Sequence, residues 1–106
     1  MNNENEPILI GQVDDIELGS VEHFEHEEID YAIYHLETGY YATQGMCICE
    51  DNALLSDGTI ENEEIECPSC RKTFNIISGD PISDPVSPQL RIYEVTLEKK
   101  DLFLNL

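Results

Sequence analysis

Four cysteines carry the softest donor atoms in this chain, and they come in two close pairs. Cys47 and Cys49 lie in "GMCICE"; Cys67 and Cys70 lie in "CPSC". The full pattern is C-x-C-x17-C-x2-C, and it uses every cysteine present. Thiolates are strongly donating ligands that suit zinc, iron and iron–sulfur clusters. Two close pairs make a four-ligand site if two loops meet. Disulfides are disfavoured, because C-x-C is a strained pair to bridge and a reducing compartment keeps thiols free. Four buried free thiols are the plain alternative. "CPSCRKTF" alone would pass for half of a zinc ribbon. The other half is C-x-C, whereas zinc sites usually use C-x2-4-C. Spacing alone leaves zinc, a single iron and a cluster open.

The elements that must position these thiols read as β-structure. "PILI" (7–10) is a short apolar run that predicts a first strand, after six polar residues expected to fray. "DDIELGS" (14–20) reads as a loop. Residues 21–45 look like a hairpin series: "IDYAIYHLE" (29–37) is long enough for a strand, "ETG" (37–39) is a turn, and "YYAT" (40–43) is the next strand. Apolar recurrence at helical spacing is poor, while β-branched and aromatic residues mark the strands. After the first cysteine pair come a Ser-Asp-Gly turn at 56–58 and a short strand near Ile65. Pro81, Pro85 and Pro88 exclude helix or central strand from 79–90. "RIYEVTLEKKDLFLNL" predicts two strands around a Lys99–Lys100–Asp101 turn. The expected fold class is all-β, a sandwich or barrel of antiparallel strands with two cysteine loops and a proline loop in its second half.

Length and charge bound the rest. A chain of 106 residues fits one domain over 1–106. Hydrophobic residues make up 41%, against wholesale disorder. Five Lys and Arg face 23 Asp and Glu, a formal charge of −18. That argues against nucleic acid or an anionic membrane as partner. It favours docking on basic patches of other proteins, although acidity also serves solubility alone. No apolar run approaches the ~20 residues of a membrane span, and the N-terminus carries no signal-peptide pattern. A cytoplasmic monomer is the expectation.

Several motifs in order give a resemblance. The block from Gly45 to Val95 resembles a Rieske-type [2Fe–2S] ferredoxin, a family with a Cys-x-His pair followed by a Cys-x-x-His pair. The family's "LSDG" stands here as Leu55-Ser56-Asp57-Gly58. Its "CPxHxxxF" stands as Cys67-Pro68-Ser69-Cys70-Arg71-Lys72-Thr73-Phe74. Its turn is matched by Ser78-Gly79, and its proline-bearing cover loop by 81–88. The likeness spans roughly residues 7–106, most strongly 40–95, and implies a cluster-binding part at about 44–82. Both family histidines are cysteines here, Cys49 and Cys70. By position, Cys47 and Cys67 would hold the inner iron, and Cys49 and Cys70 the outer one. His23, His26 and His35 precede the block and read as strand residues.

The resemblance implies a small electron carrier rather than an enzyme. It would shuttle single electrons from a flavin-dependent reductase to a terminal oxygenase, within a multicomponent oxygenase system. No Gly-rich nucleotide fingerprint contradicts this. Four thiolates would give an oxidised [2Fe–2S] centre a charge of about −2, against about 0 with two neutral histidines. Extra negative charge opposes reduction, so the potential is expected toward the all-cysteine range of about −400 mV rather than roughly −150 to +300 mV. It is also expected to be flat with pH, since thiolates carry no ring proton. Arg71 and Lys72 either offset cluster charge, meet a partner or are simply solvated. The competing readings are a non-redox structural or interaction domain whose four cysteines hold zinc, and a rubredoxin-like single-iron carrier.

Overall fold

The computed structural model describes residues 7–49 and 51–106. The expected fraying of the first six residues lies outside the described residues. Among the described residues nine strands follow in order: β1 Ile8–Gln12, β2 Val21–His26, β3 Ile29–Leu36, β4 Gly39–Gln44, β5 Thr59–Glu61, β6 Glu64–Glu66, β7 Thr73–Asn75, β8 Ile92–Glu98 and β9 Asp101–Asn105. Six form an antiparallel sheet in the order β1-β9-β8-β4-β3-β2, and β5-β6-β7 form a second sheet. Among the described residues, no helix is long and apolar enough to cross a membrane.

The larger sheet is built on hairpins. β2 runs into β3 through Glu27 and Glu28, and β3 into β4 through Glu37 and Thr38, with His26 opposite Ile29 and Leu36 opposite Gly39. All six strands send apolar side chains into one interior. It gathers Ile8 and Ile10, Phe24, Tyr31 and Ile33, Ala42, Tyr93 and Val95, and Leu102 and Leu104. A sheet whose every strand reaches one core must curl around it, which is the barrel-like part of the expected fold.

β3 explains how the second part attaches. Tyr31 and Ile33 point into the barrel, while Ala32, Tyr34 and Leu36 point the other way. Alternation puts successive side chains on opposite faces, so a strand covered on both sides reads as a continuous apolar run. The outer residues pack with Leu55, Ile65, Phe74 and Ile76, and Cys47 and Cys67 belong to the same core. The cysteine loops are therefore seated against the outer face of β3.

β5 is a strand the sequence did not announce. "TIE" is three residues long, too short for alternation to register. It pairs with β6 across Asn62 and Glu63, where Asn62 takes a positive φ of 58°. Asparagine is one of the few non-glycine residues that tolerate this turn conformation. The segment at 14–20 also contains a short 3-10 turn, Val13–Asp15, closed where the Gln12 amide donates to Asp15 Oδ2 at 2.9 Å.

Candidate metal centre

Two loops of different construction carry the thiols. The first spans 45–58. The Cys47 amide donates to the Ala53 carbonyl at 2.8 Å and the Leu55 amide to the Gly45 carbonyl at 2.7 Å, which folds the loop back on itself. The second is the hairpin loop between β6 and β7. The Cys67 amide donates to the Lys72 carbonyl at 2.9 Å and the Arg71 amide to the Cys67 carbonyl at 3.1 Å, with Arg71 at φ 66°. Gly58 joins the two, because a Cβ at this position would run into the Glu66 carbonyl oxygen.

The proline segment closes over the second loop. The Ile82 amide donates to the Thr73 carbonyl at 2.9 Å, and the Thr73 amide donates to Ser83 Oγ at 3.0 Å. Lys72 Nζ lies 3.6 Å from Asp84 Oδ2, and Arg71 reaches Glu66 at 3.7 Å. Both cations beside Cys70 are thus engaged in local ion pairs. Gly79, at φ 82°, turns the chain from β7 toward this segment, and its carbonyl accepts from the Leu90 amide at 2.9 Å.

The four sulfurs converge within 4.8 Å of one another. The closest contacts run between loops: Cys47 Sγ to Cys70 Sγ is 3.6 Å, and Cys49 Sγ to Cys67 Sγ is 3.8 Å. Burial sorts them differently. Cys47 and Cys67 are 3% and 0% exposed, while Cys49 and Cys70 are half-buried at the rim. Cys47 and Cys67 are thus the deeper pair and Cys49 and Cys70 the shallower one.

Backbone amides two residues on favour the thiolates: that of Cys49 acts on Cys47, that of Asp51 on Cys49, and that of Lys72 on Cys70. The Ser69 amide donates to Cys67 Sγ at 3.4 Å. Burial pushes the Cys47 and Cys70 thiols up, against the pull of these amides. Cys49 goes the other way. Burial opposes its thiolate, but the Asp51 and Ala53 amides and the neighbouring thiols outweigh it and lower the group to about 7. Amides aimed at sulfur stabilise added negative charge, which is how a protein tunes a thiolate-bound centre.

The histidines stand apart from this cluster. His23 and His26 lie on β2 and His35 on β3. His23 Nε2 lies 2.6 Å from Asp30 Oδ1. His35 donates from Nδ1 to the Ile16 carbonyl at 2.9 Å and stacks on Tyr40 with ring centroids 4.1 Å apart. Their expected role as strand residues holds.

Comparison with known proteins adds the family. The Rieske [2Fe-2S] domain model matches residues 6–94. The chain belongs to the Rieske [2Fe-2S] family. It is 31% identical over 94 residues to the ferredoxin component of the naphthalene 1,2-dioxygenase/salicylate 5-hydroxylase systems of Ralstonia sp., covering 89% of each chain. It is 32% identical over 77 residues to the naphthalene 1,2-dioxygenase ferredoxin component of Pseudomonas putida, covering 73% of each. Among solved structures it resembles a chain in the complex of reduced oxygenase and oxidised ferredoxin of carbazole 1,9a-dioxygenase, at a TM-score of 0.87 and 26% identity. That likeness covers 97% of this chain and 94% of the other.

Family membership implies a [2Fe–2S] cluster, and the donor set of this Rieske chain is chemically suited to one: four soft thiols, each met by an amide. Sulfurs at these distances lie near the ~3.8 Å edge of a tetrahedron around one ion with 2.3 Å metal–sulfur bonds. A two-iron core needs more room. Rotation about χ1 moves a cysteine sulfur without moving its loop. The zinc and single-iron readings draw no support from the matches. Ser69 and Asp84 are features that sequence reasoning did not single out, and Asp51 stood out only as an acidic neighbour of Cys49. Nothing in their type or spacing marks them, since each matters only through a contact with another loop.

Proposed function

We propose that this chain is a one-electron carrier, a Rieske-type ferredoxin in which Cys47, Cys49, Cys67 and Cys70 together hold the [2Fe–2S] cluster. One observation carries the reading: within the Rieske [2Fe-2S] match over residues 6–94, two loops bring all four sulfurs within 4.8 Å of one another, one pair buried and one at the rim. The cluster supplies the redox chemistry, and the chain holds it and sets its electrostatics. Cys47 and Cys67 anchor it in the core shared with Phe74 and Leu55. Cys49 and Cys70, half-buried, bring its outer edge near the surface, where an electron can enter and leave. The amides on the sulfurs offset part of the charge that reduction adds.

The route proposed is from a flavin-dependent reductase to an oxygenase. The relatives are ferredoxin components of dioxygenase systems, and a similar chain is found in complex with its oxygenase, which supports the second half of that route. The charge of −18 supports docking on basic faces of both partners. Such docking speeds association at low salt and weakens as salt screens it.

The test is composition and spectroscopy of protein produced anaerobically in an iron-replete host. Two irons and two acid-labile sulfides per chain, lost together when Cys49 or Cys70 becomes Ser, are expected. A colourless protein with one zinc, or one iron without sulfide, overturns the reading.

A further inference from the structure

Asp51 and Ser69 are 18 residues apart in sequence and sit on different cysteine loops. Their side chains meet, with Ser69 Oγ donating to Asp51 Oδ2. Thiol contacts aside, it is the only side-chain hydrogen bond joining residues 46–54 to 67–72 among the described residues. Ser69 also donates its backbone amide to Cys67 Sγ at 3.4 Å, and the Asp51 amide is among the groups that favour the Cys49 thiolate. Those two sulfurs are themselves 3.8 Å apart.

We propose that Asp51 and Ser69 act as positioning residues, a cross-brace that holds two amide dipoles on the Cys49 and Cys67 sulfurs and so sets the reduction potential of the bound cluster. The proposal rests on four-cysteine ligation of that cluster.

The physical case is about orientation. An amide near a thiolate helps the reduced state only while its N–H points at sulfur, and exposed loop residues sample many orientations. The other two amides are secured in other ways. Cys49 lies within the closed turn where its carbonyl accepts from Asn52 at 3.2 Å, and Lys72 is held by the Cys67 amide and by Asp84. Asp51 and Ser69 are both exposed, at the tips of their loops. Linking the tips removes freedom from both amides at once. The carboxylate has a second, opposite effect, because a negative charge near the cluster disfavours reduction. Charge and brace therefore need separate variants.

Ser69→Ala breaks the brace and leaves the charge. One hydrogen bond is worth about fivefold in an equilibrium, which for a one-electron couple at 59 mV per tenfold is a fall of ~40 mV in midpoint potential. Ser69→Thr keeps the hydroxyl and is expected to restore the wild-type value. Asp51→Asn keeps an acceptor and removes the charge, so its potential should rise. Asp51→Ala removes both and should lie below Asp51→Asn. In an Asp51→Ala background, Ser69→Ala should change nothing further. These potentials are read by voltammetry on the loaded proteins, alongside the rate of iron release to a chelator, which should be faster in Ser69→Ala than in Ser69→Thr. If Ser69→Ala loses its cluster on purification, the Asp51→Ala and Asp51→Asn pair makes the same comparison from the other loop. Loaded wild type with variants of unchanged potential, or fully additive shifts, overturns the brace alone. Wild type without two irons and two sulfides overturns the four-cysteine reading and the brace with it.

Discussion

The phenol of Tyr34 and the hydroxyl of Thr43 are 2.8 Å apart on neighbouring strands, and both residues are 0% exposed. Thr43 Oγ1 donates to the Gln44 carbonyl at 2.8 Å, so it accepts from Tyr34. Burial drives the phenol's pKa upward, only partly offset by Thr43, and keeps it a neutral donor. Deleting either end has unequal effects. Tyr34→Phe removes the donor and leaves Thr43 still bonded, at a cost of about 1 kcal/mol. Thr43→Val leaves a buried phenol without a partner, for up to about 3 kcal/mol. Urea unfolding of the two variants checks the order, and the reverse order refutes the assigned donor.

Converting Cys49 and Cys70 to His together should turn the centre toward ordinary Rieske behaviour. Two charges leave the ligand set, so the midpoint potential should rise by about 200 mV or more, given the separation of the all-cysteine and histidine-ligated ranges. A falling slope at alkaline pH should appear as imidazole ligands lose ring protons, where the parent protein is expected to be flat. Voltammetry across pH decides it. An unchanged potential would mean that the rim cysteines are not ligands.

Gly58 should tolerate no side chain. An added Cβ would collide with the Glu66 carbonyl oxygen and press on that of Leu55 at 3.1 Å, and both are backbone atoms that cannot swing aside. Gly58→Ala is expected to destabilise by about 2 kcal/mol, as overpacking does. Because Gly58 fixes loop one against β6, iron content should fall as well. Normal stability and loading would show that the loops yield more easily than this contact implies.

Much of this arrangement was legible in the chain because it is written in local pattern. β3 and β4 could be read at 29–37 and 40–43, within a residue of their observed ends, and the last hairpin from its Lys99–Lys100–Asp101 turn. The four thiols could be read because cysteine is rare here and closely spaced. What stayed hidden depends on contacts across the chain. The brace between Asp51 and Ser69, and the clamp from Lys72 to Asp84, join common polar residues whose meaning lies in their partners. β5 is visible only through its pairing with β6. That Tyr31 and Tyr34 serve different cores follows from what each face of β3 meets.

The β2–β3 turn offers a gain rather than a loss. Glu27 and Glu28 sit at φ 52° and 69°, the pair of positive values that a two-residue type I′ hairpin requires. Neither is a residue that favours this region, and a left-handed conformation costs an ordinary side chain about 1–2 kcal/mol. Two adjacent carboxylates add repulsion. Glu27→Asn with Glu28→Gly supplies the preferred turn pair, and the flexibility of the new glycine gives back part of the benefit. A net stabilisation of about 1 kcal/mol is expected, seen as a rise in Tm of roughly 4–8 °C by the usual scaling for a domain near this size. Neither residue touches the cysteine loops in any described contact, so the reduction potential should stay put while Tm climbs. Calorimetry on the loaded protein tests this; a Tm that falls would mean that the glutamates stabilise the turn by means other than backbone geometry.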